Sequence, residues 1–251
     1  MRQQWADYRV FWRQFRETYH STGAVLPSGR GLARALCRYV RDPGEPPVAE
    51  SLRDAELAVS ARLPYVEGRR ILEVGPGTGA VTAQIIDDMR RDDRLTLIER
   101  NDEFVAWLRR RLASTRPFQS AADRITLLHA AVEELPEDEP FDLIISGLPL
   151  NNFEVETVAQ ILSKLRRVLA PGGTLSFFEY VAIRKAKALV SRKTERDRLR
   201  AIGQILANEL SAHEVRSDLV LANVPPAWVH HVRFNSGEPT RCAGAPAGSM
   251  E

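Results

Sequence analysis

The sequence predicts an α/β fold: a seven-stranded, mostly parallel sheet with helices on both faces. Three observations carry that expectation. Short apolar runs alternate along the chain with longer segments whose apolar residues return every three or four positions, the periods of strands and helices in a layered domain. One such run, Ile71 to Val74, leads into a turn with glycine at Gly75, Gly77 and Gly79, followed by a helical stretch. Twenty-four residues beyond Gly75, a second apolar run, Leu95 to Ile98, ends in Glu99, an acid placed to accept hydrogen bonds from both hydroxyls of a ribose.

The glycine turn lets the backbone take left-handed conformations and lets a ligand lie against it, while the amides at the following helix start attract electron-rich groups. Its glycine order is GxGxG, not the GxGxxG of dinucleotide folds, and the chain has no GxxxxGK[ST] phosphate loop. A nucleoside without a pyrophosphate is the expected ligand. Glu73, on the strand before the turn, suits the ammonium of an amino-acid tail and repels phosphate.

These residues resemble motif I and the second-strand acid of the class I S-adenosylmethionine-dependent methyltransferases, over roughly Arg69 to Tyr180. Phe141 to Gly147 (FDLIISG) is similar to the fourth strand and the start of the active-site loop, and Leu169 to Phe178 (LAPGGTLSFF) to the turn and fifth strand. The resemblance implies a Rossmann-like sheet and S-adenosylmethionine as cofactor, held by Glu73, Gly75, Gly77, Thr78, Gly79, Glu99, Arg100, Ala131, Val132 and Ser146. One departure stands out: where the family commonly places an Asp after the third strand to hold the adenine amino group, this chain has Ala131. Backbone amides near Val132 are then the expected readers of the ring, and Glu133 is expected to face solvent.

Composition sets the bounds. With 251 residues, 44% hydrophobic and 27% charged, the chain fits one globular domain with a decorated N-terminus. No apolar run reaches the roughly 20 residues needed to span a bilayer, and no signal-peptide core is present, so a cytoplasmic protein is expected. Cys37 and Cys242 make no metal-like spacing and read as free thiols; no metal is expected.

Taken in order, residues 1–20 hold Trp5, Tyr8, Phe11, Trp12, Phe15 and Tyr19, a third of the aromatic residues, largely at helical spacing and flanked by arginines. That pattern suits an interfacial helix on an anionic membrane, or a helix capping the sheet. A turn around Pro27 to Gly31 and a helix follow, then a loop from Asp42 to Pro47 and a helix from Ala49 to Leu63. After the glycine turn come a helix over Ala80 to Met89, a helix from Asn101 to Leu112 capped by Asn101 or Asp102, a strand at Ile125 to Leu128, and an amphipathic helix from Glu154 to Leu169. Arg184 to Arg200 carries eight Lys or Arg against Glu195 and Asp197, within a helical segment running to Leu210. Glu214 to Leu221 and Trp228 to Phe234 form the last strands around Pro225 and Pro226. The expected organisation is a helical membrane-interface and lid segment over 1–48, the catalytic domain over 49–234, and a disordered tail over 235–251.

Two segments narrow the resemblance to bacterial phospholipid N-methyltransferases: TGAVLPSGRGLARAL, from Thr22 to Leu36, and SGLPL-x-NF, from Ser146 to Phe153. In that family the first covers the cofactor, which puts Ser28 near the pocket. The second is also similar to the loop of ribosomal-RNA adenine dimethyltransferases, but Leu150 stands where their stacking ring belongs, so nucleic acid is the poorer substrate. The expected acceptor is the amine of phosphatidylethanolamine or a partly methylated derivative. Its ammonium has a pKa of about 10 and must lose a proton before attack. Gly147, Leu148 and Pro149 would orient the nitrogen, and Tyr180 would take or relay the proton, with His20 and Glu179 as competitors. Tyr19, Asn151, Asn152 and Arg184 are the expected contacts to the lipid, and an anionic membrane surface is the expected partner.

Overall fold

The computed structural model describes residues 27–42, 68–181, 193–223 and 226–234. The aromatic segment with Tyr19 and His20, the helix expected at Ala49 to Leu63, Arg184, Cys242 and the tail over 235–251 lie outside these residues.

Seven strands form one sheet in the order β3-β2-β1-β4-β5-β7-β6. They are β1 (Arg70–Val74), β2 (Arg94–Glu99), β3 (Ile125–His129), β4 (Phe141–Ser146), β5 (Leu169–Tyr180), β6 (Glu214–Val220) and β7 (Ala227–Val232). The first five run parallel, and β7 is antiparallel to both neighbours. The strand order reverses between β1 and β4, which opens a crevice at the carboxyl edge of those two strands.

The helices are α1 (Pro27–Leu36), α2 (Arg38–Arg41), α3 (Ala80–Asp88), α4 (Asp102–Ser114), α5 (Val155–Val168) and α6 (Lys193–His213). Side chains alternate across each strand and split the core in two. On one face Leu72, Ile144 and Phe177 meet Val158 and Leu165 of α5 and Ile202 and Leu206 of α6. On the other, Ile71, Leu97, Ile145 and Val229 meet Leu36, Cys37 and Val40 of the N-terminal arm and Ile85 of α3. Ile71, Leu72, Leu97 and Ile144 are fully buried, each contributing on the order of 2 kcal/mol.

Two elements differ from the sequence expectation. The chain is already helical at Pro27, the first described residue, where a turn was expected: proline's fixed φ is compatible with helical backbone. Pro171 and Gly172, in a stretch expected as a turn before the fifth strand, lie past the end of α5 at Val168. They sit inside β5, where Leu169 pairs with Phe141 and Thr174 with Leu143, so the intervening residues bulge out, with Gly172 at φ +75°. Asn101 is the α4 cap, its Oδ1 accepting from the amides of Glu103 and Phe104 at 2.9 and 3.1 Å.

Two arginines bind the N-terminal arm to the sheet, Arg69 through arm carbonyls and Arg38 through an ion pair. Arg69 and Asp93 are both buried; Arg69 Nη2 reaches Asp93 Oδ2 at 2.6 Å and the carbonyl of Val40 at 2.8 Å. Burial opposes the charge on Asp93, but the Arg69 side chain and the amides of Arg90 and Arg69 hold its carboxyl below the usual range. Arg38 forks onto Asp218 of β6 at 2.6 and 2.9 Å. Asp218 also faces Nε2 of the fully buried His231 at 3.4 Å, whose Nδ1 lies 2.8 Å from Ser176 Oγ. Burial pushes His231 down to about 4, so this string is neutral at the imidazole near pH 7. Among the described residues no helix is long and apolar enough to cross a membrane.

Because Asp93 is held ionised in the fold, its contribution is present above about pH 4 and is lost as pH falls through the depressed value. Asp93→Asn strands a buried guanidinium and should cost roughly 3 kcal/mol, read as a lower urea midpoint at pH 7. The difference from the parent should narrow on acidification.

Candidate active site

The site grows from the carboxyl edge of β1, β2 and β4. After Val74 the chain turns through Gly75, Gly77 and Gly79, at φ +68°, +56° and +82°, before α3 begins at Ala80. The Gly75 amide donates to the carbonyl of Ile98 and the Gly79 amide to that of Pro76, at 3.0 and 2.9 Å. The position a Cβ would take at Gly77 is open space, which leaves that backbone free to lie against a ligand.

The loop after β4 meets this turn directly. The Gly147 amide donates to the carbonyl of Val74 at 2.8 Å. A Cβ at Gly147 would stand 2.8 Å from the carbonyl oxygen of Gly75, and one at Gly75 would stand 2.7 Å from Leu148 Cδ2. Neither position admits a side chain. Leu148 is buried, so what it offers a substrate is backbone. Ser146 is buried too, with Oγ 3.4 Å from the Leu148 amide.

Three acceptors in the site have capacity to spare. Glu99 is buried at the end of β2, with Oε2 accepting from the Gly77 amide at 3.1 Å and Oε1 from the Asn101 amide at 2.8 Å. Those bonds fix the carboxylate and leave lone pairs for further donors. Burial raises the pKa of Glu99 against the pull of these amides. Glu73 is also buried, and its Oε2 has no hydrogen-bond partner; the Thr82 hydroxyl is likewise buried without one. Burial pushes the Glu73 carboxyl up to about 8, with Glu99 adding to the effect and Thr82 opposing it.

This donor-seeking set fits S-adenosylmethionine. Glu99 would take the ribose hydroxyls, Glu73 would take the ammonium of the amino-acid tail, and the open Gly77 backbone would supply the cradle. An arriving cation favours ionised Glu73.

The other expected residues divide. Thr78 lies in the turn, and its carbonyl accepts from Trp107 Nε1 at 3.3 Å and Arg111 Nη1 at 2.7 Å. These two α4 side chains brace the turn, and the sequence carried no signal for them beyond their place in the helix after Glu99. Arg100 is half-buried, its carbonyl 3.3 Å from His129 Nε2. At the end of β3 the Ala131 amide donates to Glu134 Oε2 at 2.7 Å, while Val132 is buried and Glu133 exposed. Tyr180 ends β5 half-buried, its ring edge-on to Phe178 at 5.0 Å. Pro149 leads into a 3₁₀ turn over Leu150–Asn152, in which Leu150 and Asn151 are buried and Asn152 half-buried. Asn151 Oδ1 has no hydrogen-bond partner. Ser28 falls in the first turn of α1. Tyr19 and Arg184 lie outside the described residues.

Residues 71–173 match a family described as a methyltransferase domain. An ornithine lipid N-methyltransferase of Singulisphaera acidiphila is 30% identical over 114 residues, 45% of this chain and 59% of that protein. A ubiquinone/menaquinone biosynthesis C-methyltransferase of Psychromonas ingrahamii is 30% identical over 115 residues, 45% of this chain and 43% of that protein. The matched stretches thus span about half the length of these relatives. In fold, the chain is similar to the O-methyltransferase TomG from Streptomyces achromogenes, crystallised with S-adenosylmethionine: TM-score 0.50 at 17% identity, covering 86% of this chain and 95% of that one.

Two substitutions test the site. Gly147→Ala forces the two backbones apart, an overpacking cost of about 1–3 kcal/mol, and should weaken cofactor binding by calorimetry about tenfold or more. Glu73 titrates about 8 in the fold against about 4.3 unfolded, so its contribution to stability declines as pH rises between those values. In cofactor-free protein, Glu73→Gln should therefore raise the urea midpoint at pH 8, converge on the parent near pH 5, and bind cofactor more weakly.

Proposed function

We propose that the protein is a class I S-adenosylmethionine-dependent methyltransferase, a reading supported by the methyltransferase-domain match over residues 71–173, and that it methylates the amine of phosphatidylethanolamine, or of its partly methylated derivatives, at an anionic membrane surface. The observation that carries this reading is the loop from Gly147 to Phe153. Its leucines are drawn into the core, so it offers backbone carbonyls and two asparagines in place of a stacking ring. Carbonyls suit an amine, whose N–H groups need acceptors that orient the lone pair. The similarity to a lipid N-methyltransferase supports the same substrate class.

Bound S-adenosylmethionine supplies an electrophilic methyl carbon on a positively charged sulfur. The chain's part is positioning. Glu99 and Glu73 hold the ribose and the tail ammonium, and the glycine turn sets the backbone against the nucleoside. The carbonyls of Gly147 to Pro149 orient the acceptor nitrogen, and burial beside a positive charge lowers the pKa of its ammonium. Tyr180, at the end of β5, takes or relays the proton. Asn152 contacts the lipid headgroup, as do Tyr19 and Arg184 from segments outside the described residues.

RNA base methylation is the weaker reading. A stacking ring is worth roughly 1–3 kcal/mol per base, and Leu150 is a buried core residue instead. Carbon methylation of a quinone precursor has the similarity to the Psychromonas enzyme behind it.

The deciding experiment is transfer of label from S-adenosylmethionine to phosphatidylethanolamine in vesicles containing anionic lipid, with ribosomal RNA, free ethanolamine and a demethylated quinone as parallel acceptors. Labelled mono-, di- or trimethylated lipid is expected. Label confined to another acceptor refutes the lipid assignment and names its replacement.

A further inference from the structure

Arg198 of α6 lies in the basic segment from Arg184 to Arg200, and its charge is committed within the fold. Its Nε and Nη2 fork onto Glu195 at 2.9 and 2.6 Å, one helical turn back. The same guanidinium reaches out of the helix: Nη1 donates to the carbonyl of Phe153, and Nη2 lies 3.3 Å from that of Asn151. The side chain is only 15% exposed.

Both carbonyls belong to the loop after β4. Within its 3₁₀ turn the amides of Asn152 and Phe153 return to Pro149 and Leu150, at 3.0 and 3.2 Å. At its other end the loop is tied to β1 through Gly147 and Val74. The loop is therefore anchored twice, once against the cofactor turn and once against α6. Between the anchors lies Asn151, buried, with Oδ1 lacking a partner. A planar fork of five donors can serve a carboxylate and two carbonyls together, which a lysine ammonium on a flexible stem does not reproduce.

We propose that Arg198, oriented by Glu195, is a positioning residue for the methyl acceptor: it sets the loop that orients the acceptor nitrogen and plays no part in holding the cofactor. The cofactor contacts arise from the β1 turn and the end of β2, whereas the latch grips the far end of the loop. A misplacement of about 1 Å at the reacting nitrogen costs on the order of 100-fold in rate, so loosening the latch falls on turnover. This deepens the methyl-transfer reading and rests on it for the kinetic arm alone.

The test compares the parent with Arg198→Lys, Arg198→Met and Glu195→Gln. Cofactor Kd is taken by calorimetry, kcat and KM on phosphatidylethanolamine vesicles, and amide hydrogen exchange by mass spectrometry over residues 147–153 and 71–82. For Arg198→Lys the expected result is a Kd within about twofold of the parent and a kcat about 30- to 100-fold lower, with KM changed far less. Exchange should quicken over 147–153 and stay at the parent rate over 71–82. Glu195→Gln should fall between, and Arg198→Met should match or exceed the lysine variant. Unchanged exchange at 147–153 overturns the proposal, as does a loss of kcat matched by an equal loss of cofactor affinity. A parent silent on phosphatidylethanolamine sinks the lipid reading alone, and the exchange pattern still decides the latch.

Discussion

Two backbones pass within hydrogen-bonding distance at the carboxyl edge of β1 and β4, and the rest of the site depends on that approach. The amide of Gly147 reaches the carbonyl of Val74, and the space that side chains would need at Gly75 and Gly147 is already filled. Closeness of this kind comes only where the strand order reverses, because there the chain leaving β1 and the chain leaving β4 turn away to opposite sides. The glycine turn after β1 and the loop after β4 are thereby registered to each other through main chain. Side chains add chemistry to a geometry already set.

That chemistry is acidic and withdrawn from water. Glu73 and Glu99 are both buried; burial raises the pKa of each, and Glu99 makes ionisation of Glu73 less favourable still. A scaffold tolerates such strain where a ligand relieves it, and a cationic tail with hydroxyl donors does so. Elsewhere the fold pairs its charges internally: the buried Arg69 with Asp93, and the partly buried Arg38 with Asp218. The contrast between paired acids at the frame and under-partnered acids at the turn distinguishes support from site without appeal to any known relative.

Much of this was legible in the sequence. The glycine turn, the acid at Glu99 and the order of strands rest on local signals, turn chemistry and period, which the chain states within a few residues. Asn101 could be read as a cap because capping is local too. Pro27 misled because proline is equally at home in a turn and in the first turn of a helix; the choice was made by Leu36 and Cys37 packing on the distant β1 and β4. Arg198 was invisible for a similar reason. Its partners, the carbonyls of Asn151 and Phe153, lie 45 or more positions away. Trp107 and Arg111 brace Thr78 on the same terms. Long-range contacts to main-chain carbonyls leave no residue pattern behind, so no reading of spacing finds them.

Cys37 has no part in the chemistry, yet its position makes the fold observable. It is fully buried between the N-terminal arm and the sheet, and burial pushes its thiol well above the usual range, with Glu73 adding to the effect. A thiol in that state is inert to alkylation until the arm lifts away. With Cys242 replaced by serine, the rate at which a small maleimide labels Cys37 becomes a clock for opening of that interface. Since the same face carries Glu73, the clock would also register ligand at the turn, a chemical reporter written into the core of the fold.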